Sequence, residues 1–203
     1  MPARAAARVR TYWLRTGRRE RVTALLSQRI PRLGGTVLDV GGGRRAPHDD
    51  SWRSGTRRVR LDLSPIHAPD IVGDARRLPV RDAGVDVVTM VEVLEHVADP
   101  WQVLDEAWRV LRPGGTVLGS APFVWPVHGD PDDYFRFTEA GLRALLHRFE
   151  PIVVVPIGNH YSAAWNLVTA RSRAARILNP AFRRLTRRAD GRCPEGYVFE
   201  ARR

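Results

Sequence analysis

Short apolar runs and stripes spaced by three and four residues take turns along this chain. Thr36-Val37-Leu38-Asp39-Val40 predicts a first buried strand, which runs into Gly41-Gly42-Gly43. Val59 to Leu63 alternates and stops at Ser64-Pro65, predicting a second strand; Ile71 to Asp74 predicts a short third. Val85 to Val91 predicts a fourth, buried on both faces, and Thr116 to Ser120, Ile152 to Pro156 and Tyr197 to Phe199 predict three more. Between them the period changes to that of a helix. Val22, Leu25, Leu26 and Ile30 predict an N-terminal helix laid across the edge of the domain. Trp101, Leu104, Trp108 and Leu111 predict a helix that begins at Asp99-Pro100 and ends at Pro113-Gly114-Gly115. Thr138 caps another, with Leu142, Leu145, Leu146 and Phe149 as its stripe. Residues 161–189 predict one or two helices broken near Asn179-Pro180, and any helix between Arg44 and Thr56 is short because of Pro47. Strands that alternate with helices give an α/β fold with a doubly wound, parallel sheet.

Composition narrows the picture. A chain of 203 residues fits one domain, 1–203, with an N-terminal helical segment (1–30), a core (36–158) and a basic helical segment with a last strand (159–203). Cys193 is the only cysteine, so neither an internal disulfide nor a cysteine-based metal cluster can form. That suits a reducing cytoplasm. No run of about 18 apolar residues predicts a membrane span, and residues 1–30 lack the apolar core of a secretory signal. The net charge is +11, and all 33 basic residues are arginine, which fits the codon bias of a GC-rich genome. The charge favours anionic partners, nucleic acid or an acidic membrane surface, at which the chain would be peripheral. Arg171, Arg173, Arg176, Arg183, Arg184, Arg187 and Arg188 concentrate it in a stretch that reads as a solvated helix face or as an anion-binding rim.

The glycines after the first strand let the backbone approach a ligand closely, which alone suggests a nucleotide-like cofactor and no more. Asp39-Val40-Gly41-Gly42-Gly43, Asp62, Asp74-Ala75 and Leu111-Arg112-Pro113-Gly114-Gly115, in this order, resemble the motifs of the class I S-adenosylmethionine-dependent methyltransferases, in particular the small single-domain bacterial type. The resemblance covers Val37 to Phe149 and implies a Rossmann-like seven-stranded sheet, mostly parallel with an antiparallel last strand. It implies S-adenosyl-L-methionine as cofactor. Asp39, Gly41 and Gly43 would hold its methionine part, Asp62 its ribose hydroxyls, and Asp74 with Ala75 its adenine, while Leu63, Val91 and Glu92 complete the implied cofactor-binding set. Arg45 stands where the family often has a third spaced glycine, so a nicotinamide-dinucleotide protein is the formal rival for this turn.

Acceptor chemistry belongs on the loops after the fourth and fifth strands. There the segment from Pro122 to Phe137 carries His128, Asp130, Asp133, Tyr134 and Arg136. His128 is the candidate general base, because an imidazole titrates near neutrality, and Asp133 is its candidate partner; Tyr134 and Arg136 read as scaffolding. Glu92, Glu95 and His96 would share one face of a helix. Similar segments in some members of the resembled family carry a divalent metal, and His128 would be a further ligand, but a metal-free site is the favoured expectation. The resulting reading is an O- or N-methyltransferase acting on a small-molecule or glycan-type acceptor. Its alternatives are an RNA 2′-O-methyltransferase with a divalent metal and a non-catalytic cofactor-binding or regulatory module.

Overall fold

Seven strands form one sheet in the order β3-β2-β1-β4-β5-β7-β6. The computed structural model describes residues 17–43, 47–129, 131–169, 189 and 191–203. The strands are β1 (Thr36–Val40), β2 (Arg57–Asp62), β3 (Ile71–Val72), β4 (Val85–Val91), β5 (Leu111–Pro122), β6 (Ile152–Ile157) and β7 (Gly196–Arg202). The helices are α1 (Gly17–Arg29), α2 (Pro100–Val110), α3 (Glu139–Leu145) and α4 (His160–Thr169). Strands β1 to β5 run parallel, and β7 lies antiparallel between β5 and β6. This is the expected α/β, mostly parallel, seven-stranded architecture. The arginines from Arg171 to Arg188 and the break at Asn179-Pro180 lie outside the described residues, as do Arg45 and Asp130. Among the described residues no helix is long and apolar enough to cross a membrane.

Strand alternation sorts the core into two layers. Leu38, Val88, Val117 and Phe199 face α2 and α3, where they meet Val103, Leu104, Ala107, Leu142 and Leu146. Val37, Val87, Leu118, Ile157 and Val198 face the other way and meet Val22 and Leu26 of α1 and Ile30 just beyond it. Helix α1 therefore crosses the middle of one sheet face, not the edge of the domain. The central strands are apolar without interruption because both of their faces are covered.

Three local expectations are corrected. The buried stripe of α2 is Val103, Leu104, Ala107 and Val110, so Trp101 is left 53% exposed at the helix start. Trp108 lies on the flank, where the guanidinium groups of Arg148 and Arg203 stack at 4.0 and 3.9 Å from its ring centre. Leu111 already belongs to β5, which starts opposite Val85 and shifts register before Thr116 meets Val87, so Pro113-Gly114-Gly115 is an irregularity within the strand. Helix starts were legible: Asp99 accepts from Gln102 N at 3.1 Å and Thr138 from Gly141 N at 3.0 Å.

Because Leu26 is fully buried between α1 and the sheet, Leu26→Ala should cost about 2–5 kcal/mol of stability, read as a lower midpoint in urea unfolding.

Candidate active site

The chain leaves β1 towards β2 on one side and returns to β4 on the other, and the glycine turn lies at this switch, at the carboxyl ends of the strands. Gly41 has φ +67, and a Cβ there would stand 2.6 Å from a methyl of Val93. Beneath the turn Asp39 is fully engaged. Thr89 Oγ1 donates to its Oδ1 at 2.6 Å and Arg58 to its Oδ2 at 2.8 Å, and Arg58 also reaches Asp49 at 2.9 Å. Asp39 thus props the turn from below.

Asp62, the last residue of β2, offers more. Its Oδ1 accepts from Ser64 N at 2.8 Å, and its Oδ2 lies 3.4 Å from where a Cβ of Gly43 would be. One carboxylate oxygen therefore faces the glycine turn. Leu63 and Ile66 follow as exposed apolar residues, and the buried Nδ1 of nearby His67 has no hydrogen-bond partner. Asp74 is held by its neighbour: Arg76 Nε and Nη2 donate to it at 3.1 and 2.7 Å, on the surface. Ala75 packs against the larger core layer and Val91 against the other.

The segment after β4 does not form the expected helix face. Glu92 takes φ +57, and only Leu94–His96 closes into a single 3-10 turn. The side chains of Glu92 and Glu95 consequently serve different partners. Arg18 of α1, fully buried, grips Glu92 with both terminal nitrogens, and Ser120 Oγ donates to Glu92 Oε1 at 2.6 Å. The Arg18 guanidinium lies 5.0 Å from the ring centre of Trp125. One turn along α1, Arg21 pairs with the buried Glu195. Burial alone would raise the carboxyl of Glu92, but the charge and hydrogen bonds of Arg18, with the bond from Ser120, hold it below its ordinary range.

Glu95 is also fully buried, yet neither carboxyl oxygen has a hydrogen-bond partner. Burial, and then the negative charge of Glu92, push its carboxyl well above the ordinary range. Beside it stand His96 and His128, with one ligand atom from each of the three residues inside a span of 4.8 Å. The two imidazole rings meet edge to face at 5.0 Å. His128 Nδ1 lies 3.1 Å from Pro126 O and 3.4 Å from Asp133 Oδ2, so the proton belongs on Nδ1 and the lone pair on Nε2. That Nε2 is buried and has no hydrogen-bond partner. Burial, and secondarily His96, lower the pKa of His128. Asp133 accepts from His128 N at 2.7 Å and from Arg136 at 2.5 and 2.6 Å, and Arg136 ties the loop to the carbonyls of Trp125 and Pro126.

Residues 38–119 match a family model described as a methyltransferase domain. Over this stretch the chain is similar to a methyltransferase domain. A 27-O-demethylrifamycin SV methyltransferase from Amycolatopsis mediterranei is 34% identical over 140 residues, covering 60% of this chain and 52% of that protein. A ubiquinone/menaquinone biosynthesis C-methyltransferase from a Ruegeria species is 31% identical over 113 residues, covering 47% of this chain and 45% of the other. The chain spans about half or less of the length of the curated relatives it matches. Among solved structures, a SAM-dependent methyltransferase from Archaeoglobus fulgidus has the same fold, with a TM-score of 0.63 at 18% identity over 91% of this chain and 94% of that one.

The candidate residues lie towards one end of the sheet: the glycine turn, Asp62 and Leu63 on one side, and Glu92, Glu95, His96 and His128 on the other. Arg18, Ser120, Arg58 and Thr89 were not recognised from the sequence. For Arg18 a signal existed, since it shares the face of α1 that carries Val22 and Leu26 at intervals of four. Arg18→Met should leave Glu92 buried and uncompensated at a cost of about 3–5 kcal/mol, and adding Glu92→Gln should recover much of the loss in the same urea titration.

Proposed function

We propose that this chain is an S-adenosylmethionine-dependent methyltransferase that methylates a hydroxyl oxygen, or a nitrogen, of a small-molecule or glycan-type acceptor, with His128 as general base and Asp133 as the residue that orients it. The observation that carries this reading is the buried, unpartnered Nε2 of His128, whose ring is fixed through Nδ1. The O-methyl transfer for which the Amycolatopsis relative is named supports an oxygen acceptor.

The residues present fit the cofactor. The free oxygen of Asp62 beside Gly43 suits a ribose diol, which needs acceptors for its two hydroxyl protons. Exposed Leu63 and Ile66 suit one face of an adenine, with Ala75 and Asp74 nearby in the motif order. Gly41 keeps the floor of the turn clear, and Asp39 holds the turn in place. Bound there, the cofactor supplies a methyl group already activated by the positive sulfonium. What remains for His128 is proton removal. Its Nε2 takes the proton that an acceptor hydroxyl loses, and Asp133 and Pro126 O steady the imidazolium that results. Glu92 is committed to Arg18 and shapes the wall beside the cofactor.

A second reading follows from the cluster of Glu95, His96 and His128. One carboxylate and two imidazoles suit a divalent first-row cation, and the unpartnered Glu95 oxygens face such a position. Glu92 drops out of this ligand set because Arg18 and Ser120 occupy it. With a metal, a ribose 2′-hydroxyl becomes a fitting acceptor, in keeping with the +11 charge. Isothermal titration of the full chain with Mn²⁺ decides between the two: binding that is lost in His96→Ala supports the metal, and no binding leaves the metal-free base.

S-adenosylhomocysteine should bind the purified chain, and Asp62→Ala should weaken it about tenfold or more by calorimetry. His128→Ala should lower kcat by about 10²-fold or more while S-adenosylhomocysteine binding persists. A cofactor-binding module without catalysis would instead show no turnover in any form. Because the base works only when neutral, the rate should rise with pH through the pKa of His128. As that pKa is lowered, the rise should be centred below about 6.5.

A further inference from the structure

Two large aromatic side chains stand in solvent at the rim of the acceptor site. Trp101, at the start of α2, is 53% exposed, and Tyr134, on the loop after β5, is 51% exposed. Phe135 lies between them and fixes both, with ring centres 6.5 Å from Trp101 and 6.4 Å from Tyr134, and it stacks in turn on the buried Phe137 at 5.8 Å. The rim is joined to the reacting cluster through the backbone. Tyr134 N and Phe135 N both donate to Glu95 O, at 2.7 and 3.4 Å, and His96 Nδ1 donates to Asp132 O at 2.5 Å. A ring resting on the aromatic rim is therefore beside the cluster of Glu95, His96 and His128.

The polar groups along this rim are mostly acceptors. Tyr134 Oη donates to Asp132 Oδ2 at 3.1 Å, which leaves Asp132 Oδ1 open, and the exposed Asp99 uses its Oδ1 to cap α2. Arg76 faces Asp99 and Tyr134, but its charge is matched by Asp74. Two exposed aromatic rings, inclined to each other about Phe135 and edged by carboxylates, suit a ligand with C–H faces and a ring of hydroxyl donors. It suits a phosphodiester poorly, since Asp99 and Asp132 would repel it.

We infer that Trp101, Tyr134 and Asp132 form an outer subsite that binds a neutral sugar ring of the acceptor, the ring's C–H face lying on the aromatic side chains and its hydroxyls on Asp132. This narrows the acceptor of the methyltransferase reading, on which it rests, to a glycoside. Saturation-transfer NMR on the full chain with S-adenosylhomocysteine present tests it, with methyl α-D-glucopyranoside, methyl α-L-rhamnopyranoside and maltotriose as probes and the trinucleotide UpUpU as the rival. Transfer to the C–H protons of at least one sugar is expected. Trp101→Ala should weaken that sugar about tenfold, with Trp101→Phe restoring part of it. Calorimetric binding of S-adenosylhomocysteine should be unchanged in both variants. The subsite is overturned if no sugar receives saturation, if Trp101→Ala and Tyr134→Ala leave the transfer intact, or if UpUpU alone binds in a Trp101-dependent way. Trp101-dependent sugar binding without any S-adenosylhomocysteine binding would uphold the subsite and overturn the methyltransferase reading instead.

Discussion

At the end of β4 the chain places a carboxylate where water is excluded. Glu92 must be either neutral or paired there, and the pair comes from Arg18, on a helix 74 positions earlier in sequence. The contact places several demands on the rest of the fold. Helix α1 has to lie across the sheet in the register that brings Arg18, Val22 and Leu26 to the same face. Trp125 has to stand where the guanidinium can stack against it, and residue 196 has to be small, because a Cβ at Gly196 would lie 2.4 Å from Ala121 O and 2.7 Å from the Arg18 side chain. Arg21 repeats the arrangement with Glu195, just before β7. The N-terminal helix, the loop after β5 and the last strand are thereby held to the carboxyl end of the sheet by one buried and one partly buried ion pair.

The same pair sets the electrostatics next door. With Glu92 kept charged, a second carboxylate in the same dry space is disfavoured, and Glu95 is pushed towards its neutral form. His128 is pushed towards neutrality by its own burial and then by His96, against the charge of Glu92. The outcome is a small compartment in which a proton acceptor on His128 and two unpartnered oxygens on Glu95 face each other. The proton of a hydroxyl group or a divalent cation suits that arrangement, which is why the two functional readings share residues and differ only in what stands between them.

The strands and caps could be read from the sequence because they depend on neighbours along the chain: period-two apolar runs, Asp99 and Thr138 before their helices, glycines after β1. The seven-stranded sheet followed from that order and the family resemblance. Features that depend on distant partners were not legible. In a chain with 33 arginines, the spacing of Arg18 with Val22 and Leu26 marks it as inward-facing, but nothing local names Glu92 as its partner. The positive φ of Glu92, whose N donates to Ser120 O at 3.0 Å, breaks the helical spacing that would have grouped Glu92, Glu95 and His96. Trp101 fell on the apolar stripe by spacing alone, but the helix turns its buried face to Val103, Leu104 and Ala107 instead.

Arginine is so abundant that the informative acids at this site are those that no arginine holds. Asp39 belongs to Arg58, Glu92 to Arg18 and Glu195 to Arg21, where the carboxylate serves the scaffold, and Arg136 holds Asp133 in place beside His128. The strength of the hold separates Asp74 from these. Its pair with Arg76 is on the surface, where such bridges contribute about 0–1 kcal/mol, so a ligand donor can displace it at little cost. Opening the buried Glu92 pair costs about 3–5 kcal/mol, which a single ligand hydrogen bond does not offset. Asp62 beside the glycine turn, Glu95 beside His128 and Asp132 on the aromatic rim form no salt bridge with any arginine among the described residues. They run from the glycine turn, past His128, to the exposed aromatic rim.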